Sequence, residues 1–323
     1  MIHSFIFSEG KLVGRDLEPE ALRLVQADKG LIVWVDLDNP TDDEIKSVLE
    51  GLFHFHPLAI EDCMTPSSLP KIEDYDDYLF MVTHGVDFSR EDKFATTELD
   101  LFLGKEFLVT FHRTPMRSVS ALIERLIKNV GPGPRGPDRL AHSLLDLLID
   151  NYVPTLTTLH DELEEIEEVV LSQTSSKEFV SELLKVRKDF TKLRQIVRPQ
   201  RDVIDRLARG DSKYIRAILL PYFRNLRDNL TRLEETVISY HERLMMAFDI
   251  YLNKAAFEAN EGIKFLTALT AITLPAMLVG GWYGMNFEHM PELRSPHGYF
   301  FVSLFTLVTT TLMAIYLKKK KWF

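Results

Sequence analysis

Cysteine is nearly absent from this chain, which has a single one, Cys63, among 323 residues. One thiol excludes an intrachain disulfide and a zinc site built from several cysteines, and it fits a reducing compartment. Residues 1–11 lack a basic segment followed by a long apolar stretch, so we expect no cleaved signal peptide. The chain also lacks a phosphate-binding loop ending in Gly-Lys-Ser/Thr and a dinucleotide fingerprint. With no nucleophile–base pair either, we expect neither an enzyme nor a bound cofactor.

Basic residues are scarce in most of the chain and concentrated at its end. The net charge is −10, but residues 263–323 hold six basic and two acidic side chains, a net of +4. The other 262 residues hold 32 basic and 46 acidic side chains, a net of −14. An acidic body argues against nucleic-acid binding, which needs a basic surface. The same sign of charge attracts cations.

Two segments near the end of the chain have no charged residue. They are residues 265–287 and 298–317, separated by ten residues. A transmembrane helix needs about 20 mainly apolar residues to cross a hydrocarbon core of roughly 30 Å. Both segments therefore predict membrane-spanning helices.

The charges around these segments predict their orientation. Lys318 to Lys321 follow the second segment directly, whereas the loop between the two holds Glu288 and Glu292 against Arg294. Basic flanks stay in the cytoplasm. We therefore expect both termini and the acidic body in the cytoplasm, with the short loop outside.

A long helix leads into the first span. Upstream of it, apolar residues repeat at steps of three and four: Leu226, Leu230, Leu233, Val237, Tyr240, Leu244, Phe248 and Tyr251. This spacing is typical of a coiled-coil seam. Pro221 suits a first turn, so one helix is predicted over 221–283, about 95 Å long at 1.5 Å per residue. A helix this long is not stable alone in water and needs other helices packed against it. In one interpretation, some of these are copies of the same helix.

A helical hairpin is predicted before the long helix, over 138–197. Its turn is predicted at 172–176, and Pro199 is predicted to end its second arm. The first arm carries a dense acidic run, namely Asp161, Glu162, Glu164, Glu165, Glu167 and Glu168. That run indicates either a solvated helix face or a surface that gathers divalent cations.

The first third of the chain has a different pattern. Strands are predicted over 2–7, 31–35, 79–86, 99–103 and 107–111, and helices over 19–26, 42–49 and 115–128. This alternation indicates an α/β domain that ends at the glycine- and proline-rich linker 131–137. We therefore predict an α+β membrane protein with three parts: a cytoplasmic α/β domain (1–135), a helical hairpin and stalk forming a funnel (136–262), and a transmembrane hairpin (263–323).

A short motif ends the first span. Tyr283-Gly284-Met285-Asn286-Phe287 stands before the acidic loop. In this setting the sequence resembles the CorA family of divalent-cation channels, and segments 34–40, 56–62, 70–73 and 318–322 also resemble family patterns. The resemblance implies a homopentamer in the inner membrane of a prokaryote, whose long helix lines a pore. The transported and regulatory ion would be Mg²⁺, with Co²⁺ or Ni²⁺ as further cargo.

The resemblance assigns the selectivity filter to Gly284, Met285 and Asn286. Mg²⁺ gives up water reluctantly, and a ring of side-chain carbonyls from Asn286 can hydrogen-bond its water shell without stripping it. Carboxylates would bind the ion more tightly and slow its exit. Glu288 and Glu292 would raise the cation concentration outside, unless they are ordinary solvated loop acids.

The pore-facing stripe follows from helical spacing. Steps of three and four back from the filter give Gly281, Met277, Leu274, Thr270, Thr267, Ile263 and Asn260. This stripe matches where the family lines its pore, and its bulky apolar members can close a pore by dewetting. In the alternative interpretation the stripe packs against a neighbouring helix.

One position departs from the family pattern. The family senses cytoplasmic Mg²⁺ at acidic sites between subunits, with an Asp after Tyr-Phe-Arg, but Asn225 stands at that place here. The partner acid would come from the region of Asp87, where the matching position is Ser89, and Asp228 remains available. We therefore predict a weakened or relocated inhibitory site.

Other functions stay open. The zinc-transporting ZntB branch keeps the same fold, and a non-conducting membrane-anchored scaffold keeps the same topology. His54, His56 and Cys63 have no spacing typical of a soft-metal site, and Met277, Met285 and Met290 are more simply apolar lining than copper ligands. The expected partners are the lipid bilayer, divalent cations and other copies of the chain, and not nucleic acid.

Overall fold

The β-strands form one mixed sheet. The computed structural model describes residues 1–26, 28, 30–65, 69–87, 95–128, 130, 133–172, 177–287, 290 and 295–322. The strands in these residues are β1 (Ile2–Ser8), β2 (Lys11–Arg15), β3 (Leu31–Asp38), β4 (Lys71–Tyr75), β5 (Tyr78–Asp87), β6 (Ala95–Leu103) and β7 (Phe107–His112).

Helices make up most of the remaining described chain. They are α1 (Pro19–Gln26), α2 (Asp42–Ile45), α3 (Pro57–Met64), α4 (Arg117–Ile127), α5 (Pro137–Asp150), α6 (Tyr152–Ser172), α7 (Lys177–Arg209), α8 (Leu220–Tyr283) and α9 (Gly298–Lys319). Helix α2 continues as a π-helical segment, Lys46–Leu52, and a 3₁₀ turn, Ala217–Leu219, precedes α8. Helix α8 has 64 residues, so the predicted long helix and the second span are confirmed.

The strand order is β2-β1-β3-β7-β6-β5-β4. Strands β3 and β7 pair in parallel, and the other neighbours pair antiparallel. Helices α1 to α3 cover one face and bury an apolar core that includes Val35, Phe102 and Phe111. The predicted α/β domain with its helical continuation is therefore confirmed.

The two strands that sequence patterning missed lie at the edges of the sheet. Strand β2 alternates between exposed and partly buried residues, and β4 is partly buried or exposed throughout. An edge strand packs little side-chain surface, so it lacks the run of β-branched and aromatic residues that identified the central strands. Helix α3 was also missed, although His56 caps it by accepting a hydrogen bond from the Leu58 amide at 3.2 Å and Pro57 starts it.

Helices α6, α7 and the first half of α8 pack together. The His160 ring on α6 stacks on Tyr240 of α8, with ring centroids 4.9 Å apart, and Phe190 of α7 meets the same tyrosine at 6.2 Å. The seam residues Leu226, Leu230 and Val237 are fully buried within the single chain. The neighbours that this part of the long helix needs are therefore supplied by its own hairpin.

The prediction that Pro199 ends the second hairpin arm is wrong, because α7 continues through it to Arg209. A proline inside a helix removes one backbone hydrogen bond. The next residue, Gln200, is fully buried: its side chain accepts from the His84 amide at 2.9 Å and donates to the His84 carbonyl at 3.2 Å. Buried Val203, Ile204 and Leu207 continue the apolar face, so packing keeps the helix intact past the proline.

By packing, the described residues divide into two compact units. The first holds most of residues 1–246, so the hairpin and the start of α8 pack in one unit with the sheet. The second holds Ala247–Phe323, with the end of α8 and all of α9. The functional boundaries at residues 135 and 262 remain predictions.

Candidate ion pathway

Two helices are long and apolar enough to cross a membrane. Their most apolar stretches have mean hydropathies of 1.7 and 2.0, and only 6% of each stretch is buried inside the chain. These are the end of α8 and the whole of α9. Apolar helices left this bare are expected to be covered by lipid or by other copies of the chain.

Helices α8 and α9 form a groove between them. Ala276, Val279 and Tyr283 line it from α8, and Val302 and Thr306 line it from α9. This groove defines the side of α8 that faces α9.

The predicted pore stripe lies on another side of α8. Successive residues of an α-helix are rotated by about 100°, which places the stripe roughly 150° around the helix from the residues that face α9. All seven members are exposed in the single chain: Asn260, Ile263, Thr267, Thr270, Leu274, Met277 and Gly281. Ile263 and Met277 are 62% and 68% exposed. The second span therefore leaves this stripe uncovered, and whether it lines a pore stays a prediction.

The Gly284-Met285-Asn286 tripeptide lies where α8 ends. The Gly284 amide donates to the Gly280 carbonyl at 3.0 Å, and the Met285 amide donates to the Trp282 carbonyl at 3.4 Å. A Cβ atom at position 284 would lie 2.8 Å from the Gly280 carbonyl oxygen, a distance that real Cβ atoms do not reach. Glycine is therefore required by the close approach of the backbone at this position. Asn286 follows as an exposed side chain outside the helix.

The loop acids Glu288 and Glu292 lie outside the described residues. Of the loop's methionine and acidic candidates, only Met290 is described, and it is partly buried. The role of the two acids in attracting cations stays a prediction.

The predicted regulatory residues occupy two elements. Asp87 is the last residue of β5, and its side chain lies outside the description, as does Ser89. Asn225 and Asp228 are exposed on the second and third turns of α8. Asp228 accepts two hydrogen bonds from Arg227, at 2.8 and 3.1 Å, which offsets its charge. Asp228 is thus the acid one helical turn from Asn225, and its carboxylate is engaged by Arg227.

A half-open cavity that sequence patterning missed lies beside the sheet. Its volume is about 270 Å³, and Cys63, Glu98 and Asp100 are among its walls. The Cys63 thiol donates a hydrogen bond to the Asp100 carboxyl group, whose Oδ1 atom has no partner among the described residues. Burial, reinforced by the nearby Glu98, raises the pKa of Asp100 well above its ordinary value, and burial likewise raises the pKa of Cys63. The sequence pattern of β6 did not predict that the carboxyl group of Asp100 would be buried.

The soft-metal candidates are not assembled into a site. Cys63 is buried against Asp100, whereas His54 and His56 are exposed and His56 caps α3. Across the part of the chain that is described, no group of three His, Cys, Asp or Glu side chains is arranged to hold a metal ion.

Comparison with known proteins identifies the family to which this chain belongs. The profile of the family "CorA-like Mg2+ transporter protein" matches residues 29–319. The chain belongs to this CorA-like family. Membership makes it a divalent-cation transporter of the membrane rather than an enzyme in the usual sense.

Relatives across bacteria share most of this family member's length. It is 33% identical to YfjQ of Bacillus subtilis over 290 residues, which cover 90% of this chain and 89% of the relative. It is 30% identical to the cobalt/magnesium transport protein CorA of Thermotoga maritima over 297 residues, covering 91% and 84% of the two chains.

Solved structures share the fold. The complete CorA magnesium transporter from Methanocaldococcus jannaschii superimposes with a TM-score of 0.82 at 22% identity, covering 99% of this chain and 98% of that one. The cytoplasmic domain of ZntB from Vibrio parahaemolyticus superimposes over 79% of this chain with a TM-score of 0.62 at 16% identity. At these identities the likeness shows the fold alone, so it does not choose between magnesium and zinc as cargo.

Proposed function

We propose that this CorA-like protein is a homopentameric channel that carries Mg²⁺ into the cytoplasm, with Co²⁺ and Ni²⁺ as further cargo. The observation that carries the proposal is the exposed Asn286 at the end of an equally exposed helical stripe, with a required glycine two residues before it. Five such stripes around an axis would enclose a continuous path that ends in a ring of amides.

The amide ring would select the ion by its hydration. Mg²⁺ keeps several waters when it binds to proteins, and neutral carbonyls can hold that shell at moderate strength. Five Asn286 side chains would supply the carbonyls. Met285 and Gly284 would set their height at the mouth of the pore.

The bulky members of the stripe would form the gate. Ile263, Leu274 and Met277 project from the same side of α8 at intervals of one to three turns. Apolar rings at these levels would expel water when they are narrow and stop conduction without a plug. Thr267 and Thr270, which donate to the carbonyls of Ile263 and Leu266 at 2.8 and 2.9 Å, would let water back in when the rings widen.

The membrane potential would drive transport. A divalent ion gains about 4.6 kcal/mol per 100 mV when it moves inward, from roughly 2.3 kcal/mol for each charge. In the inner membrane of a prokaryote, Lys318 to Lys321 would hold both termini in the cytoplasm. Glu288 and Glu292 would then face the outside and concentrate cations.

Cytoplasmic Mg²⁺ would regulate the channel weakly. Asn225 contributes no charge, and Asp228 is paired with Arg227. We expect Asn225→Asp to lower the cytoplasmic Mg²⁺ concentration that halves the flux by about tenfold, because a second carboxylate adds a charged ligand. Glu50→Gln, at an exposed position of the π-helical segment Lys46–Leu52, is the control. An unaltered inhibition curve for Asn225→Asp would place the sensing site elsewhere.

Flux measurement tests the function. The purified protein is reconstituted into liposomes with an inside-negative potential and with reporters for Mg²⁺, Co²⁺ and Zn²⁺. We expect Mg²⁺ and Co²⁺ influx that depends on the potential. Zn²⁺ influx coupled to a proton gradient would identify the ZntB-like alternative, and absence of flux for every ion would identify the scaffold.

A further inference from the structure

A charged cavity lies at one edge of the sheet. Its volume is about 680 Å³, which is within the range of small-molecule sites. The β1–β2 turn, the start of β3 and the β6–β7 turn line it, together with segments 135–138 and 213–216. All of these residues belong to the first compact unit, and none belongs to the predicted pore stripe or filter. The cavity is therefore formed within one copy of the chain.

An ion pair joins the two segments that line the cavity. Asp138 is 1% exposed and accepts hydrogen bonds from the Nε atom of Arg216 at 2.8 Å and from its backbone amide at 3.0 Å. The Nη1 atom of Arg216 donates to the Arg135 carbonyl at 2.7 Å. Gly136 passes so close to the guanidinium of Arg216 that a Cβ atom would not fit between them. These contacts hold the wall in place, and the charges of Asp138 and Arg216 are already paired with each other.

Other charged side chains of both signs line the cavity without partners of their own. Lys105 and Arg135 are basic and exposed. Glu9 and Glu106 are acidic and exposed. Within the part of the chain that is described, none of these side chains makes a hydrogen bond or an ion pair. Lys213 also lines the cavity, and its ammonium group donates to a backbone carbonyl and keeps donors for a further acceptor.

A smaller cavity shares the β6–β7 turn with the first. Its volume is about 260 Å³, and Lys105 and Glu106 line both cavities. Asp76 and Asp77, from the turn between β4 and β5, line the smaller one. Basic residues are therefore concentrated in the larger cavity, and carboxylates predominate in the smaller one.

Charges distributed in this way match a polyphosphate that carries a magnesium ion. Lysine and arginine side chains bind phosphate oxygens through charge-assisted hydrogen bonds. Mg²⁺ bound to phosphates keeps several waters and is held by one or two carboxylates. A zwitterionic amino acid also carries both signs, but its single carboxylate would leave most of the cations in the larger cavity unmatched.

We propose that the two cavities bind a polyphosphate, such as a nucleoside triphosphate, together with its Mg²⁺. Lys105, Arg135 and Lys213 contact the phosphates, and Glu106 holds the waters around the ion. The bound ligand connects the edge of the sheet to segment 213–216, which leads through the 3₁₀ turn into α8. The proposal needs no second copy of the chain, so it does not depend on the proposed channel.

Equilibrium dialysis of labelled ATP against the full-length protein in detergent tests the site. Bound label is measured because Mg²⁺ alone also binds a divalent-cation transporter. Lys105→Gln and Arg135→Gln each remove one unpaired cation from the larger cavity. Lys46→Gln is the matched control, since Lys46 is exposed on the π-helical segment and lines neither cavity. An unaltered thermal midpoint without ligand shows that each variant is folded.

We expect ATP with Mg²⁺ to bind about fivefold more weakly to Lys105→Gln and to Arg135→Gln than to the wild type, because each variant loses a charge-assisted hydrogen bond. Lys46→Gln should bind like the wild type. Tripolyphosphate with Mg²⁺ should displace the label, whereas adenosine should not, because the site recognises the phosphates.

Glu106→Gln tests the part played by the ion. We expect this variant to bind ATP about fivefold more weakly when Mg²⁺ is present, because it loses a ligand for the hydrated ion. When EDTA removes Mg²⁺, it should bind ATP no more weakly than the wild type, since a carboxylate repels bare phosphates. Glu50→Gln, at an exposed position that lines neither cavity, is the control.

Other results contradict the proposal. Absence of saturable ATP binding to the wild type, or an equal loss of affinity in Lys46→Gln and the cavity variants, would exclude the site. Displacement of the label by adenosine but not by tripolyphosphate would show that the nucleoside is recognised instead. Equal binding in Mg²⁺ and in EDTA, unchanged by Glu106→Gln, would show that the ion is not part of the ligand.

Discussion

The backbone around Gly284 leaves no room for a side chain at this position of the tripeptide. A Cβ at this position would lie 2.8 Å from the Gly280 carbonyl oxygen, and both groups are backbone-anchored. We expect Gly284→Ala to displace Asn286 and to lower Mg²⁺ flux in liposomes by about tenfold, equivalent to about 1.4 kcal/mol of lost stabilisation of the permeating ion.

Gly262→Ala is the matched control for this change. Gly262 lies inside α8, and an added Cβ there meets no atom within 4 Å. This control should keep wild-type flux and gain helix stability, because alanine is about 1 kcal/mol better than glycine inside a helix. Wild-type flux in Gly284→Ala would show that the close approach has no part in permeation.

Asp100 predicts a pH dependence of stability. Its pKa is raised by burial and by Glu98, with Asp62 adding in the same direction and Lys71 opposing them. Between the unfolded value of about 3.9 and the raised folded value, unfolding releases a proton, so stability falls as the pH rises through that window. Asp100→Asn removes this loss, and we expect its unfolding midpoint to exceed that of the wild type increasingly from pH 5 to pH 8, a range chosen from about the unfolded pKa upward.

The midpoint is measured by thermal unfolding of the full-length protein in detergent. Asp161→Asn on α6 serves as the exposed control and should follow the wild type at every pH. A constant offset between Asp100→Asn and the wild type would mean that Asp100 ionises in the folded protein as it does in water.

At the scale of elements, the exposed stripe of α8 is the feature that predicts gating. Met277 is 68% exposed and lies on the stripe, so five copies would form an apolar ring. Met277→Ser would wet that ring. We expect residual flux at inhibitory cytoplasmic Mg²⁺ to rise about tenfold, as a barrier lowered by about 1.4 kcal/mol implies.

Leu269→Ser is the control for the stripe. Leu269 is 50% exposed on the same helix but lies about 120° away from the stripe. A rise in leak for Leu269→Ser equal to that for Met277→Ser would show general loosening of the spans rather than a pore-facing gate.

Helices and strands were predictable from sequence where a single local pattern determines them. The two spans follow from uncharged length, and the central strands follow from apolar runs. The edge strands β2 and β4 were not predicted. Each pairs with a strand on one side only and therefore has few buried side chains to form an apolar run. The helix end predicted at Pro199 was wrong because a distant contact keeps the helix intact. Gln200 hydrogen-bonds to a strand 116 residues away in sequence, and no local sequence pattern reveals that contact.

At the scale of the whole molecule, the sequence shows that acidic and basic residues are concentrated in different segments, but it does not show how those charges are arranged in space. The sequence shows six acids on one hairpin arm, and only the fold shows that one of them, Glu167, pairs with Arg243 of α8. The coiled-coil spacing of α8 was likewise ambiguous, because the same seam serves copies of itself or its own hairpin. The structure buries Leu226, Leu230 and Val237 against the hairpin. The stripe from residue 260 onwards, in contrast, is left exposed by the single chain.

The central claim is that a ring of Asn286 amides selects the ion. The most direct test measures Mg²⁺ influx and its ratio to Ca²⁺ influx for Asn286→Ala, with Ser303→Ala on α9 as the control. We expect Asn286→Ala to lower the Mg²⁺ preference by about tenfold, which is about 1.4 kcal/mol, while Ser303→Ala keeps it. An unchanged Mg²⁺ preference in a folded, pentameric Asn286→Ala protein would contradict the account.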